Sequence, residues 1–280
     1  MDHFIFKIRY WLFISIICFT QCNSSGIEEI PSPAGYSFSK GEKIFLRSNL
    51  EEVSGIAFVP GNDSLLMAVN DEEGKIFPVN VKDPKGKTES FRFAERGDYE
   101  DIAFFDGNWR VLESKGIIHS VDMAENKIFP EQKILPKGEY EGMAADDGFL
   151  FVACKDCPKD GEYKSTVLQI KSEGDSLVVQ KKFELDASGF IKNKNKKILP
   201  SALARNPLTK DWFVLSHLNA CLLITDEQFV VKEYFALPRS LFLQPEGIAF
   251  TANGDLFISS EGDESTGYII RFNNLSGTMQ

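Results

Sequence analysis

QPEGIAF, residues 244–250, is the last of five segments of this chain that share one plan. The other four are VSGIAF at 53–58, YEDIAF at 99–104, YEGMAA at 140–145 and PSALAR at 200–205. They share an alanine, at Ala57, Ala103, Ala144, Ala204 and Ala249, and the successive spacings between these alanines are 46, 41, 60 and 45 residues. Most of these intervals are the length of one blade of a β-propeller.

The residues after each segment support this interpretation. A turn and a short apolar run of strand composition follow, as in Asn253–Asp255 before Leu256–Ser259. A third such run comes next in every repeat, and four repeats add a fourth, for example Thr88–Phe93 and Val230–Phe235. No helical periodicity interrupts these runs, so the sequence predicts an all-β fold.

The ends of the chain predict how the ring closes. The fifth repeat has only three strand-like runs, and Lys43–Arg47 is an unassigned strand before the first repeat. Pairing the two would cover both exposed edges. We therefore predict a five-bladed β-propeller whose ring is closed by the N-terminal strand. Six blades remain an alternative, because the 60-residue interval has room for an irregular blade, although the lysine-rich stretch Ser188–Lys197 is typical of a solvated loop.

The N-terminus has the order of an export signal. Lys7 and Arg9 precede the apolar run Trp11–Phe19, which is too short to span a bilayer, and Cys22 follows it. This order resembles a bacterial lipoprotein signal, in which Cys22 becomes the lipidated first residue. An ordinary secretory signal is the alternative. We predict a signal peptide at 1–21, a tether at 22–39 and a single propeller domain at 40–280. The expected location is the cell envelope outside the cytoplasm, with membrane anchoring through Cys22, or else secretion.

The net charge narrows the choice of partner. The 280 residues carry a formal charge of −10 and have no long basic run. This argues against a nucleic-acid partner and favours cations or neutral ligands, either a small ligand or a partner in the envelope.

The position three residues before each shared alanine predicts a site. The first strand of each propeller blade lines the central channel, so equivalent positions form a ring, here Ser54, Glu100, Glu141, Ser201 and Glu246. Three carboxylates on one axis repel each other unless a cation, a proton or a basic group lies between them. The ring therefore predicts a bound metal or strongly raised pKa values.

The ends of the second strands predict an outer ring at the same mouth. Oxygen donors with few histidines favour calcium or magnesium over zinc. The predicted ligands of a divalent cation, Ca²⁺ first, are Glu100, Glu141, Glu246, Asp71, Glu113 and Glu261. The predicted ligand-binding residues are Ser54, Ser201, Asn70, Lys155 and His217. The alternative is that these acids only accept backbone N–H groups at tight turns.

Catalytic and redox candidates are few. His217 is the candidate general base, but its neighbour Ser216 points to the opposite face of a strand and makes a poor Ser-His couple. Motifs of the familiar hydrolases are absent from the sequence. For Cys154 and Cys157, a strained local disulfide is the first interpretation, half of a metal site with His217 or Cys221 the second, and redox catalysis the third.

Three paired motifs carry a family resemblance. They are DYEDIA at 98–103 with VLE at 111–113, PSALA at 200–204 with VLS at 214–216, and QPEGIA at 244–249 with ISSE at 258–261. Together they resemble the SdiA-regulated family of exported β-propellers, which is related to the NHL, gluconolactonase-like and esterase-like phytase propellers. The resemblance covers residues from about 50 to 272 and implies a propeller outside the cytoplasm.

The gluconolactonase-like relatives hold a divalent ion with a channel glutamate and polar residues of other blades. The resemblance gives Glu246 or Glu100 the part of that glutamate and Asn70 or Asp71 the part of its partner, whereas Ser54 and Ser201 depart from the pattern. Our first hypothesis is a binding propeller whose acidic channel mouth takes a divalent cation and a small ligand. The alternatives are a metal-dependent hydrolase of esters, lactones or phosphoesters, and an assembly scaffold.

Overall fold

The computed structural model of the protein describes residues 29–262 and 266–276, and the predicted signal peptide and Cys22 lie outside them. The fold is all-β and consists of five four-stranded antiparallel sheets. Two 3-10 helices, Phe38–Lys40 and Ser48–Leu50, are the only helices in the described part. Over these residues no helix has the length and apolar character needed to cross a membrane.

The strands follow one another around the ring in chain order, and the first strand belongs to the last blade. The N-terminal strand is β1 (Glu42–Phe45). Blade 1 contains β2 (Val53–Val59), β3 (Asn62–Asn70), β4 (Lys75–Asn80) and β5 (Phe91–Arg92). Blade 2 contains β6 (Tyr99–Phe105), β7 (Asn108–Glu113), β8 (Ile117–Asp122) and β9 (Lys127–Ile128). Blade 3 contains β10 (Glu139–Asp146), β11 (Phe149–Asp156), β12 (Lys164–Glu173) and β13 (Ser176–Asp186). Blade 4 contains β14 (Ala202–Arg205), β15 (Trp212–Ser216), β16 (Cys221–Thr225) and β17 (Val231–Ala236). Blade 5 contains β18 (Pro245–Phe250), β19 (Leu256–Ser260) and β20 (Tyr268–Phe272), together with β1.

The ring closes as predicted. Strand β1 pairs antiparallel with β20, with Glu42 opposite Arg271 and Phe45 opposite Tyr268. Because the edge of blade 5 is thereby covered, the chain forms five blades and needs no sixth.

The long interval between the third and fourth repeats has two causes. The β12–β13 hairpin is the longest of the fold, with strands of 10 and 11 residues. A segment without regular strands follows, from 187 to 201. Its lysines are exposed, but Ile191 and Ile198 are buried in the core, so this loop is anchored to the domain.

The core lies between the blades, where apolar side chains of neighbouring sheets meet. Between blades 3 and 4, for example, the Trp212 ring stacks on Phe229 at a centroid distance of 5.2 Å and contacts Phe151 at 4.6 Å. Residues from the predicted tether also contribute, because Tyr36 and Phe38 are buried in the core. The folded unit therefore begins before residue 40.

The repeat motif has a packing reason. The residue after each channel position faces the first strand of the next blade. A Cβ atom added at Gly247 would lie 2.5 Å from the carbonyl oxygen of Ser54, and one added at Gly142 would lie 3.1 Å from Cα of Ala202. Small residues at this position in four of the five repeats therefore allow the first strands to approach one another closely. The exception, Asp101, accepts the amide of Met143 in the next blade.

Candidate functional site

One mouth of the channel contains the predicted inner ring. Ser54, Glu100, Glu141, Ser201 and Glu246 all line a cavity of about 290 Å³. Each of them lies at or just before the start of the first strand of its blade. The opposite mouth is lined by the shared alanines and by Phe58, Phe104 and Phe250, together with Arg205 and Thr251. The channel therefore has one acidic end and one end whose lining contains no acidic side chain.

The ends of the second strands bring four of the predicted outer residues to the same mouth. Asp71, Lys155, His217 and Glu261 line the cavity together with the inner ring. They come from four different blades, so the site exists only in the closed ring.

Two predicted site residues do not reach the cavity, because they precede the correct register position by one residue. The amides of Asp71, Ser114 and Glu261 donate to equivalent carbonyls, those of Glu52, Asp98 and Gln244. Ser114, and not Glu113, is therefore the blade 2 counterpart of Asp71. A shift of one residue sends a strand side chain to the opposite face.

Glu113 and Asn70 accordingly contact other groups. The Oε2 atom of Glu113 lies 3.1 Å from Nε2 of His119, and both residues line a different cavity. The side-chain oxygen of Asn70 accepts the amide of Glu73 at 2.9 Å, and its Nδ2 donates to the carbonyl of Asn49 at 3.3 Å. These contacts hold the loop that follows β3.

The sequence did not identify three further lining residues, Asp98, Leu199 and Leu218. Asp98 precedes β6 and its carboxylate accepts the hydroxyl of Ser114. The sequence feature that could have identified Asp98 is its position two residues before Glu100. Leu218 is 56% exposed and gives the acidic mouth an apolar edge.

Two basic side chains partly neutralise the acids. Lys155 donates to Oε1 of Glu141 within blade 3. The Nδ1 atom of His217, in blade 4, lies 2.8 Å from Oε1 of Glu246, in blade 5. The hydrogen bond to Glu246 raises the pKa of His217 above 6.5, although burial acts in the opposite direction. Burial lowers the pKa of Lys155, but the contact with Glu141 outweighs it and the net shift is upward.

Four acids of the mouth hold protons at unusually high pH. Burial, followed by the negative charge of Glu141, raises the pKa of Glu100 to about 9. Burial raises the pKa of Glu141 to about 7 despite its contact with Lys155. Burial and neighbouring acids raise the pKa of Glu261 to about 7 and that of Asp71 to about 6. The mouth is therefore a partly buried acidic cavity in which several carboxyl groups hold protons near neutral pH.

The serines of the inner ring connect neighbouring blades. The hydroxyl of Ser201 donates to the carbonyl of Pro245 at 3.0 Å. The carbonyl of Ser54 accepts the hydroxyl of Ser259 at 2.7 Å. The hydroxyl of Ser216 donates to the carbonyl of Leu199 at 2.6 Å. It therefore has a structural hydrogen bond and does not form a Ser-His couple with its neighbour His217.

The donor atoms of the mouth suit a hard cation but are not gathered into a tight cage. All its carboxylates offer oxygen, and Oδ1 of Asp71 is buried without a hydrogen-bond partner. In the described ranges, three ligand atoms lie within 4.8 Å of one another only at Cys154, Cys157 and Asp160. Those two cysteines form a disulfide, as the first interpretation predicts, and Cys221 is a buried free thiol.

Comparisons with known proteins identify the fold. No protein-family model matches this chain, and no curated protein matches it either. Among solved structures, Myxococcus xanthus glutaminyl cyclase is similar, with a TM-score of 0.56 and 12% identity over 83% of this chain and 94% of that one. This similarity supports the β-propeller fold.

Two further solved structures have lower TM-scores. A Bacteroides caccae protein of unknown function has a TM-score of 0.47 and 18% identity over 70% of this chain, which spans 64% of that protein. Virginiamycin B lyase from Staphylococcus aureus, solved with quinupristin, has a TM-score of 0.46 and 14% identity over 84% of this chain and 74% of that one.

Proposed function

We propose that this chain is an exported, lipid-anchored β-propeller that binds a divalent cation together with a small ligand at the acidic mouth of its channel. One observation carries the proposal. Six carboxyl groups converge on a cavity of about 290 Å³ whose lining contains only two basic side chains, Lys155 and His217. A buried surplus of negative charge stabilises an added cation.

The hydrogen-bond and ion-pair partners that each acid already has indicate which residues would hold the cation. Glu141 and Glu246 already have basic partners. Glu100 has no hydrogen bond or ion pair within the described residues, and Asp71 has a buried oxygen without a partner. These two acids are the available donors. Glu261 can add its Oε1, since its Oε2 already accepts a hydrogen bond from Nε2 of Gln244. Oxygen donors make Ca²⁺ the first cation to test, since it accepts six to eight oxygen ligands, waters included, in flexible geometry.

The apolar edge of the mouth supports a ligand beyond a bare ion. Leu199 and Leu218 adjoin the carboxylates in the same cavity, and Leu218 is exposed. A small molecule that contacts the cation through its polar group would place an apolar part against this edge.

The family and the location are part of the proposal. Assignment to the SdiA-regulated type rests on the motifs at 98–103, 200–204 and 244–249. Export and anchoring rest on the charged and apolar order of residues 7–19 and on Cys22.

Calcium titration of chelator-treated protein that lacks residues 1–21 tests the site, with thermal unfolding as the readout. We expect calcium to raise the melting temperature, and Glu100→Gln to abolish this rise. Glu113→Gln is the matched control, because it removes an acid outside the cavity, and it should keep the response. A wild-type protein that responds to neither calcium nor magnesium would refute the cation site. If the calcium-loaded protein hydrolyses esters, lactones or phosphoesters and His217→Gln loses this activity, the protein is a hydrolase and not a binding protein.

A further inference from the structure

A second cavity, of about 450 Å³, lies on blade 3 beside the disulfide. Its walls come from the connection between blades 2 and 3, from the loop between β11 and β12, and from strands β10, β12 and β13. Its size falls within the range of small-molecule sites. It shares no lining residue with the acidic mouth.

The floor of this cavity is apolar. Pro136, Tyr140, Cys157, Pro158 and Leu168 contribute to it. The hydroxyl of Tyr140 donates to the carbonyl of Pro136 at 2.9 Å, so the phenol already has its hydrogen bond. Tyr140 and Leu168 are buried beneath the cavity, so the apolar surface that is open to a ligand comes from Pro136, Pro158 and Cys157. A ligand gains free energy by burying its own apolar surface there.

The rim of the cavity is positively charged. Lys137, Lys159 and Lys182 line it, and all three are exposed. Asp160 is the one acid in the lining, and its two oxygens accept the amide of Thr166 at 2.9 Å and the hydroxyl of Thr166 at 2.5 Å. Lys182 lies 4.0 Å from Asp160, whereas Lys137 and Lys159 have no ion pair among the described residues. On a chain with a formal charge of −10, this is a local positive surplus.

The disulfide lies in the wall of the cavity, between the segments that carry Lys137 and Lys159. Cys154 ends the buried part of β11, and Cys157 begins the loop that carries Lys159. A Cβ atom added at Gly138 would lie 2.6 Å from Sγ of Cys157, so the segment that carries Lys137 is in close contact with the disulfide. The disulfide therefore fixes the loop of Lys159 covalently, and it supports the segment of Lys137 by packing against it.

We propose that this cavity binds a small amphiphilic organic anion. Its apolar body would lie on Pro136 and Pro158, above the buried Tyr140 and Leu168. Its carboxylate or similar group would lie among Lys137, Lys159 and Lys182. Apolar burial contributes affinity, and the charge-assisted contacts at the rim select an anion over a neutral molecule of the same shape. The proposal is independent of the cation site in the channel.

Isothermal titration with 2-naphthoate tests this site. The neutral 2-naphthalenemethanol and the small anion acetate probe the two halves of the proposal separately. We expect 2-naphthoate to bind at least about tenfold more tightly than either, which corresponds to about 1.4 kcal/mol. Equal binding of naphthoate and the alcohol would refute the anion site, and no binding of naphthoate at millimolar concentration would refute the cavity as a ligand site.

Charge-matched variants locate the binding. Replacing the three rim lysines together, Lys137→Gln, Lys159→Gln and Lys182→Gln, should weaken naphthoate binding by about tenfold or more, because it removes every positive charge of the rim. The control replaces three exposed lysines elsewhere by glutamine and should bind as the wild type does. The control lysines are Lys87, Lys192 and Lys194.

Equal affinities of the two triple variants would place the naphthoate elsewhere and overturn the proposal. Thermal unfolding checks that both variants are folded. If the rim variant is not folded, the single change Lys159→Glu, in the exposed loop after the disulfide, repeats the test with the same expected loss.

Discussion

The Nδ1 atom of His217 lies 2.8 Å from Oε1 of Glu246, the glutamate of the QPEGIAF segment. His217 follows the second strand of blade 4 and Glu246 lies in the first strand of blade 5. The pair therefore links two blades at the channel mouth. About four-fifths of each side chain is buried, with 21% of His217 and 17% of Glu246 exposed, so the pair is shielded from solvent.

The first prediction concerns this pair. Because the folded-state pKa of His217 is raised above its unfolded value of 6.5, the pair stabilises the protein below that pH. The contribution is lost as the pH rises through the folded-state pKa. Glu246→Gln should lower the pKa of His217, as measured by NMR titration, and should cost more stability at pH 5.5 than at pH 8.5. His119 provides the reference signal, and an unchanged His217 titration in the variant would contradict the pairing.

Glu100→Gln should stabilise the protein at alkaline pH. The pKa of Glu100 is about 9 in the folded protein, against 4.5 for the free side chain, so the folded state binds the proton more tightly. Stability therefore falls as the pH rises from about 4.5 to about 9. Glutamine removes this ionisation. We expect a melting temperature at pH 9 that is higher than that of the wild type by roughly 2–4 °C or more, equivalent to about 1 kcal/mol.

The comparison of two pH values checks the cause. The gain of Glu100→Gln should be smaller at pH 5, where the wild-type carboxyl is protonated. A gain of equal size at both values would show that it comes from packing and not from the carboxyl charge. If Glu100→Gln both gains stability and loses the calcium response, Glu100 serves function at a cost in stability and is not a structural acid.

Lys155→Met should strengthen calcium binding. Lys155 is the lysine that neutralises Glu141 at the mouth, and its removal leaves the cavity more negative. With an effective dielectric constant near 20, one unit charge within 10 Å of a divalent ion is worth about 3 kcal/mol, so we expect affinity to rise at least about fivefold above pH 8. Lys171→Met, on the surface of the same blade, should leave the affinity unchanged. A weaker calcium response in Lys155→Met would show that the lysine serves the ligand and does not compete with it.

Asp101→Gly should destabilise the ring, although glycine occupies the equivalent position in three other repeats. Both oxygens of Asp101 accept backbone amides, those of Ile102 at 2.8 Å and of Met143 in the next blade at 2.7 Å. Burial raises the pKa of this carboxyl well above its usual range. Glycine would leave both buried amides without a partner, at about 1–3 kcal/mol each. Urea denaturation should show this loss, and Asp106→Gly, at an exposed turn, is the control.

Replacing Cys154 and Cys157 by serine should lower stability moderately. The two residues are three positions apart, so the disulfide closes a very short loop. Loop-closure entropy for such a loop gives about 2 kcal/mol. The same change should weaken naphthoate binding, because the disulfide positions the segments of Lys137 and Lys159. A loss of stability without any loss of naphthoate affinity would show that the lysine rim does not depend on the disulfide.

Part of the candidate site was predictable because propeller repeats are periodic. Once the alanines of the five segments are aligned, Glu100, Glu141 and Glu246 occupy one structural position, and rotation about the axis brings equivalent positions together. The second-strand residues were less certain. Loop lengths differ between repeats, so the equivalent position at the end of the second strand shifts by one residue along the sequence. The predicted set therefore included Glu113 and Asn70, whereas the equivalent positions are Ser114 and Asp71, of which Asp71 was also predicted.

The sequence by itself determined the propeller fold, the closure of the ring by its N-terminal strand, and the acidic character of one channel mouth, and it favoured five blades over six. These features follow from local turn chemistry and from a repeat length that each blade must satisfy. Only the tertiary structure decided that His217 pairs with Glu246, that Lys155 pairs with Glu141, and that three lysines surround an apolar cavity beside the disulfide. Such contacts depend on the distance and orientation of side chains from different strands and blades, and no spacing along the chain encodes them.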